Sequence, residues 1–188
     1  MKAIIQGKHN QEKGIKRAPR MAMTTPVLKL VKLLLKKKRM NHEDGRLIWA
    51  VSCMAFHGSF RIHEMLSRNG KEFDPTTTLL GCDVGLHTVS IEGKTEDILR
   101  VHLKHPKEDY LGKGVTVELF GTGTFSCPLN AYKKWRNVAK GSITKSLPVF
   151  CLANGECYTG DKFNKDIKAL LGRSINYDEK RYLSHSFR

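Results

Sequence analysis

The constraint that most limits this chain is the way its two hydrophobic periodicities are kept apart. From Thr24 to Phe56 apolar residues recur at intervals of three and four, the spacing of a helix face. After Arg68-Asn-Gly70 the pattern changes to short runs rich in Thr, Val, Ile and Leu, over residues 77–80, 88–91, 98–103 and 115–120, which predict a small antiparallel sheet. Helical spacing returns over residues 128–139 and again over 159–171. Blocks in the order helices, sheet, helices do not supply the strand and helix alternation of a doubly wound fold, so the expected class is α+β.

The first helix is expected to start at Thr24 or Thr25, either of which suits a cap, with Pro26 in its first turn and Val27, Leu28, Leu30, Val31, Leu34 and Leu35 on its buried face. The same basic amphipathic stretch fits a membrane surface or a peptide-binding groove. A core helix is preferred, because the chain beyond it supplies something to pack on. A second helix, from about Glu43 to Phe56, is apolar enough to be central. Residues 1–23 lack periodicity and read as a basic arm or linker, leaving residues 24–188 as one domain.

Charge narrows the partners. Lys and Arg number 33 against 18 Asp and Glu, a formal charge of +15, and twelve of the basic residues lie between Met1 and Met40 with one acidic residue among them. Such a distribution favours polyanions, with double-stranded DNA the leading candidate. The run Lys36-Lys-Lys-Arg39 also fits a nuclear import signal, and nuclear localisation is the expectation. Five cysteines, with no C-x-x-C pair, match neither a secreted disulfide framework nor a common zinc pattern and suit a reducing compartment. No signal core or stretch of membrane-spanning length is present in the sequence, so no membrane partner is expected.

Few residues carry chemistry. Arg61 falls at the end of the second helix, with Glu64 one turn later, close enough to orient the guanidinium. His185 and Arg188 are likewise one turn apart and point to one side if residues 184–188 begin a helix. Between these pairs the segment His105 to Gly114, with a proline and two glycines, reads as a connection projecting from the sheet and carrying Lys107 and Lys113, with Lys104 just before it. His102 and His105 fall on opposite faces of a strand with no third ligand nearby, so no metal is expected, and Gly121-Thr-Gly123 lacks the context of a nucleotide fingerprint. No cofactor is expected.

Taken as an ordered set, Arg61 with Glu64, a lysine on a strand-to-strand hairpin, and His185 with Arg188 resemble the tyrosine recombinase (integrase) family, over about Gly14 to Arg188. The lead-in Gly14-Ile-Lys-Arg17, the box Gly58-Ser-Phe-Arg61, the hairpin Leu103-Lys-His-Pro-Lys-Glu-Asp109, the helix start Cys127-Pro-Leu129 and the box His185-Ser-Phe-Arg188 are similar to the recombinase domains of eukaryotic mobile elements of the DIRS and Crypton type. The resemblance implies a mostly helical catalytic domain with a small sheet, acting in DNA recombination and integration, and working on DNA as a homo-oligomer. It implies that Arg61 and Arg188 clamp the scissile phosphate, Lys107 protonates the departing oxygen, His185 assists proton transfer and Glu64 orients the site. Lys104 and Lys113 are neighbours of Lys107 that compete for its role or contact DNA beside it.

One departure matters. The family places its nucleophilic tyrosine downstream of the second arginine box, and here Tyr177 and Tyr182 both precede His185. The expectation is a C-terminally truncated domain that binds DNA without cleaving it, with apolar surface left open near Leu170, Leu171 and Phe187. The alternative is a noncatalytic DNA-binding or interaction module that keeps the fold.

Overall fold

The structure, a computed structural model, describes residues 21–37, 42–106, 109, 111–139, 144–174, 182 and 187. Residues 1–20 of the expected arm lie outside this set. Met23, placed in the arm by its sequence, is buried in the core.

Helix α1, Thr25–Lys37, begins where the threonine and proline signals put it, with Thr24 O accepting from Leu28 N at 2.9 Å. Val27, Leu28 and Val31 are buried, and Leu30, Leu34 and Leu35 pack partly against the core. The helix is therefore a core element rather than a membrane-surface one. Helix α2, His42–Gly58, is the centre of the molecule: Leu47, Ile48, Ala50, Val51, Cys53, Met54 and Ala55 are all 0% exposed. Burying side chains of this size contributes about 1.5–3 kcal/mol each, which explains why the least amphipathic helix is the most central.

A tight stop at the end of α2 redirects the chain. Ser59 has φ 51°, and Phe60 N donates to Ala55 O at 3.1 Å, the 6→1 bond of a Schellman stop. Phe60 then buries its ring (2% exposed) under the helix end, and a Cβ at position 58 would lie 2.5 Å from that ring, so only glycine fits there. Released from the helix, the chain forms one further turn, α3, Ile62–Met65.

The sheet has three antiparallel strands in the order β1-β2-β3: β1 Val84–Ile91, β2 Lys94–Leu103 and β3 Val115–Phe120. Ile91 faces Lys94, so β1 and β2 join through the two residues Glu92 and Gly93, with φ 50° and 77°. Positive φ at both positions is what a type I′ turn demands. Arg100 pairs with Glu118 across β2 and β3 at 2.7 Å, and Lys133 holds Asp97 at 2.8 Å, tying the outer part of the hairpin to the next helix. A short 3-10 turn, Gly81–Asp83, leads into β1.

The strand expected at 77–80 is corrected. Asp74 takes the N–H and hydroxyl of Thr76 in a turn, and Leu80 makes only an isolated bridge with Pro148. The bridge is made by Gly81 N donating to Leu147 O and Val149 N donating to Leu79 O, both at 2.9 Å, and the turn at Thr76 on one side and the 3-10 turn at Gly81–Asp83 on the other keep it from lengthening into a ladder.

Helix α4, Pro128–Arg136, starts with proline in its first turn and packs on α2, burying Leu129, Tyr132 and Trp135. Helix α5, Gly160–Leu171, is capped by Thr159, whose hydroxyl accepts from Lys162 N at 3.1 Å, and it packs against α1. Within it Asp166 is buried, accepting from the Tyr158 hydroxyl at 3.0 Å and from Lys162 at 2.7 and 2.8 Å. The open apolar surface expected near the C-terminal end is also corrected: Leu170 and Leu171 are 0% exposed, and Phe187 is 3% exposed with its ring 5.4 Å from that of Phe163. Packing of α5 on α1, together with Phe187, closes that side.

Candidate functional site

Arg61 is not at the end of α2, as its sequence suggested, but at the cap position of α3, in extended conformation (φ −71°, ψ 133°). The consequence is a tighter grip than a helix-surface pair gives. One carboxylate, Glu64, accepts from Arg61 N through Oε2 at 2.8 Å and from Arg61 Nη1 through Oε1 at 2.7 Å, fixing backbone and guanidinium together. Both side chains are largely shielded, 16% and 12% exposed, so solvent screens this pair less than it does the sheet-surface pair Arg100–Glu118.

Beside Glu64 lies a small recess of about 60 Å³, lined by His63, Glu64, Leu66, Arg68, Thr77, Thr78, Leu103 and His105. It brings the Arg61 box against the end of β2, at the root of the connection that carries the hairpin lysines. His63 reaches the start of α5: a Cβ at Gly160 would lie 2.5 Å from His63 Nδ1, so the glycine leaves the imidazole its seat. His63, Arg68 and His105 were not selected by sequence reasoning. Their proximity to Glu64 depends on a fold that joins residues far apart in the chain, although His63 lies inside the R-x-x-E spacing.

The lysines divide. Lys104 turns inward: its ammonium donates to Pro75 O at 2.7 Å and Thr78 O at 3.1 Å and pairs with Asp83 at 2.8 Å. Those three contacts match the three donors of an ammonium group, so this lysine pins the 75–83 segment beneath the hairpin. Lys113 is exposed near the hairpin's return to β3. Lys107 lies outside the described residues; Asp109 accepts from Gly114 N at 2.6 Å and from Leu111 N at 3.2 Å. The bond from Gly114, with further backbone donors behind it, holds the Asp109 carboxyl below the usual range. Gly114 takes φ 73° as its backbone passes under Leu103 O and His102, a path closed to a residue with a Cβ.

His185, Arg188 and Tyr177 lie outside the described residues, so the described site comprises the first box and the hairpin root alone. Tyr182 is buried, 5% exposed. His102 shares a hydrogen bond with Thr116 at 2.9 Å, and among the described residues no group of three or more His, Cys, Asp or Glu is placed to hold a metal ion. No helix among them is long and apolar enough to cross a membrane.

No family model matches the chain, and no curated protein matches it. Among solved structures it is similar to the XerH site-specific recombinase, in a pre-cleavage complex bound to its difH substrate, with a TM-score of 0.54 and 16% sequence identity. The likeness covers 90% of this chain and 40% of the XerH chain, so the chain spans less than half of that protein's length. At this identity the likeness is one of fold. Helices around a three-stranded antiparallel sheet, in this arrangement, make the fold that of a tyrosine-recombinase catalytic domain.

Proposed function

We propose that this domain binds double-stranded DNA through a recombinase-type phosphate site in which Arg61 is the principal anion contact, oriented by Glu64. The observation that carries the reading is the double grip of Glu64 on Arg61. A carboxylate that fixes both the backbone and the guanidinium of one arginine pre-sets the orientation of that group, as clamping a tetrahedral oxyanion needs. Three further features support it: the fold, the recess joining the Arg61 box to the root of the lysine hairpin, and the basic balance of the chain.

In this reading Arg61 contacts a nonbridging phosphate oxygen, with Arg188 and His185 completing the clamp. Lys107 supplies the proton to the departing oxygen, and Lys113 contacts the neighbouring backbone. Lys104 is a positioning residue for the hairpin rather than a DNA contact, because its donors serve Pro75, Thr78 and Asp83. Tyr182 is buried and is not the nucleophile, and the 188 residues are expected to bind DNA without forming a covalent bond to it. An origin in a eukaryotic mobile element and a nuclear site belong to the same reading, supported by the motif resemblance and the basic run at Lys36.

The test is duplex binding by anisotropy across a salt series, with Arg61→Ala, Arg61→Lys and Lys113→Ala compared. Loss of a charge-assisted bidentate contact predicts about a tenfold or larger loss for Arg61→Ala, little rescue by lysine, and a smaller loss for Lys113→Ala. Equal losses at Arg61 and Lys113 would favour the noncatalytic-module reading. A tyrosine-linked adduct on a nicked suicide duplex would refute the claim of binding without cleavage.

A further inference from the structure

At the opposite end of α2 from Arg61, the start of that helix forms the floor of a cleft of about 570 Å³ between α1 and α4, a size typical of ligand sites. His42, Gly45, Arg46 and Trp49, spaced three and four apart, present one face of α2 to it. Roughly 18 Å of helix separates Arg46 from Gly58, so this is not the Arg61 site.

Three observations define what it would hold. First, the charge is one-signed: Lys32, Lys36, Arg46 and Lys134 line the cleft, and among the described lining residues there is no carboxylate. Arg46 is partly fixed on the rim by donating to Lys134 O at 3.0 Å. Second, the floor is apolar, made by Leu35, Trp49, Phe125 and Ala131. The ammonium of Lys32 sits 5.2 Å from the Trp49 ring centre and 5.5 Å from that of Phe125, and donates to Phe125 O at 2.9 Å. Third, Gly45 stands inside α2 with neither of the usual reasons for glycine. Its φ is not positive, and a Cβ there would meet nothing within 4 Å. A helix-interior glycine weakens the helix relative to alanine, so its effect here is to leave the cleft open.

We propose that this cleft is a docking site for an acidic peptide segment of a partner protein, one apolar side chain entering between Leu35 and Trp49 and flanking carboxylates pairing with Lys36, Arg46 and Lys134. The concavity is too small for a duplex, which needs a broad basic face instead. A stacked base is disfavoured, because the Lys32 ammonium already lies over the aromatic rings. A carboxylate-flanked aliphatic or aromatic side chain uses both the rim and the floor, as grooves that capture short peptides do.

The probe is a fluorescein-labelled peptide with two leucines set among glutamates, titrated into the full chain at low salt, beside the same peptide with glutamine for glutamate, a nucleoside triphosphate and a DNA duplex. The key variant is Gly45→Phe, which fills the cleft from a position with space for it and replaces a glycine inside a helix, so folding is retained; Lys36→Glu with Lys134→Glu reverses the rim. The glutamate peptide should bind about tenfold or more tightly than its glutamine form, lose about tenfold or more in either variant, and change the emission of Trp49, while Gly45→Phe leaves duplex binding as it was. Failure of the glutamate peptide to bind at millimolar concentration overturns the proposal, as does equal binding of the glutamine peptide or binding indifferent to Gly45→Phe. A nucleotide or duplex that binds more tightly than the peptide and is lost in Gly45→Phe overturns the occupant.

Discussion

At the scale of single residues, the decisive position is Ser59. A serine held at φ 51° bears the steric cost of the left-handed region, about 1–2 kcal/mol, whereas glycine there bears only its larger unfolded-state entropy, about 0.5–1 kcal/mol. The first term is larger. Ser59 is exposed, so its side chain contributes no burial to set against the difference. Ser59→Gly is therefore expected to stabilise the domain by about 0.5–1 kcal/mol and Ser59→Val to destabilise it by about 1 kcal/mol or more. Denaturant midpoints for both variants test this, and a Ser59→Gly protein no more stable than the parent would show that the strain is relieved elsewhere. The same residue explains what could be read of the candidate site. The spacing of Arg61 and Glu64 announced their contact, but Arg61's place at a cap depends on a helix stop built from Gly58, Ser59 and the wedge of Phe60, a stop carrying serine where glycine is the usual signal. The inward turn of Lys104 was beyond reach for another reason: its partners Pro75 and Thr78 are 29 and 26 residues away in the chain.

At the scale of elements, legibility follows how local the determinants are. The span of α5, the start of α4 at Cys127-Pro-Leu129 and the span of β3 are written within a few residues and were placed close to where they lie. Strand β1 was read only in its second half, because Val84-Gly-Leu-His87 contains a glycine and its pairing is set by β2, and the 77–80 segment fails as a strand because turns at Thr76 and at Gly81–Asp83 close it on both sides. One inter-element link makes a pH prediction. His57, in the last turn of α2, shares a hydrogen bond with Ser126 Oγ at 3.2 Å, joining α2 to the lead-in of α4. Burial lowers its pKa below the usual 6.5, and a hydrogen bond to the Ser126 backbone offsets this only in part. The folded state thus binds fewer protons than the unfolded one near that pH. Its contribution to stability is complete above about pH 6.5 and is lost as pH falls toward the folded value. Asp74, Asp97 and Asp109 share this sign but start from 3.8, so their window lies well below. Between about pH 7 and about pH 5.5 the denaturant midpoint should fall, and His57→Gln should flatten that slope. An unchanged slope in the variant would remove His57 from the account.

At the scale of the whole molecule, one quantity acts on two equilibria with opposite signs. A formal charge of +15 in 188 residues repels itself in the compact state and attracts a polyanion outside it. Ion pairs among the described residues offset little of the repulsion. Arg100–Glu118 and Lys133–Asp97 are 38–51% exposed, and pairs of that kind are worth about 0–1 kcal/mol. The Arg61–Glu64 and Lys104–Asp83 pairs are more shielded and correspondingly less sensitive to salt. Raising ionic strength from about 0.01 M to about 0.1 M shortens the screening length from roughly 30 Å to roughly 10 Å, which removes long-range repulsion across the domain while leaving contact pairs largely intact. Thermal stability should therefore rise over this range, by a few degrees. Affinity for duplex DNA, on the proposed reading, should fall over the same range, with a log–log slope of about −0.9 for each phosphate neutralised. Two titrations of the same preparation decide it, one following unfolding by circular dichroism and one following duplex anisotropy. A melting temperature that falls with salt would mean that surface ion pairs outweigh the net charge, and a duplex affinity indifferent to salt would leave the positive excess without the partner assigned to it.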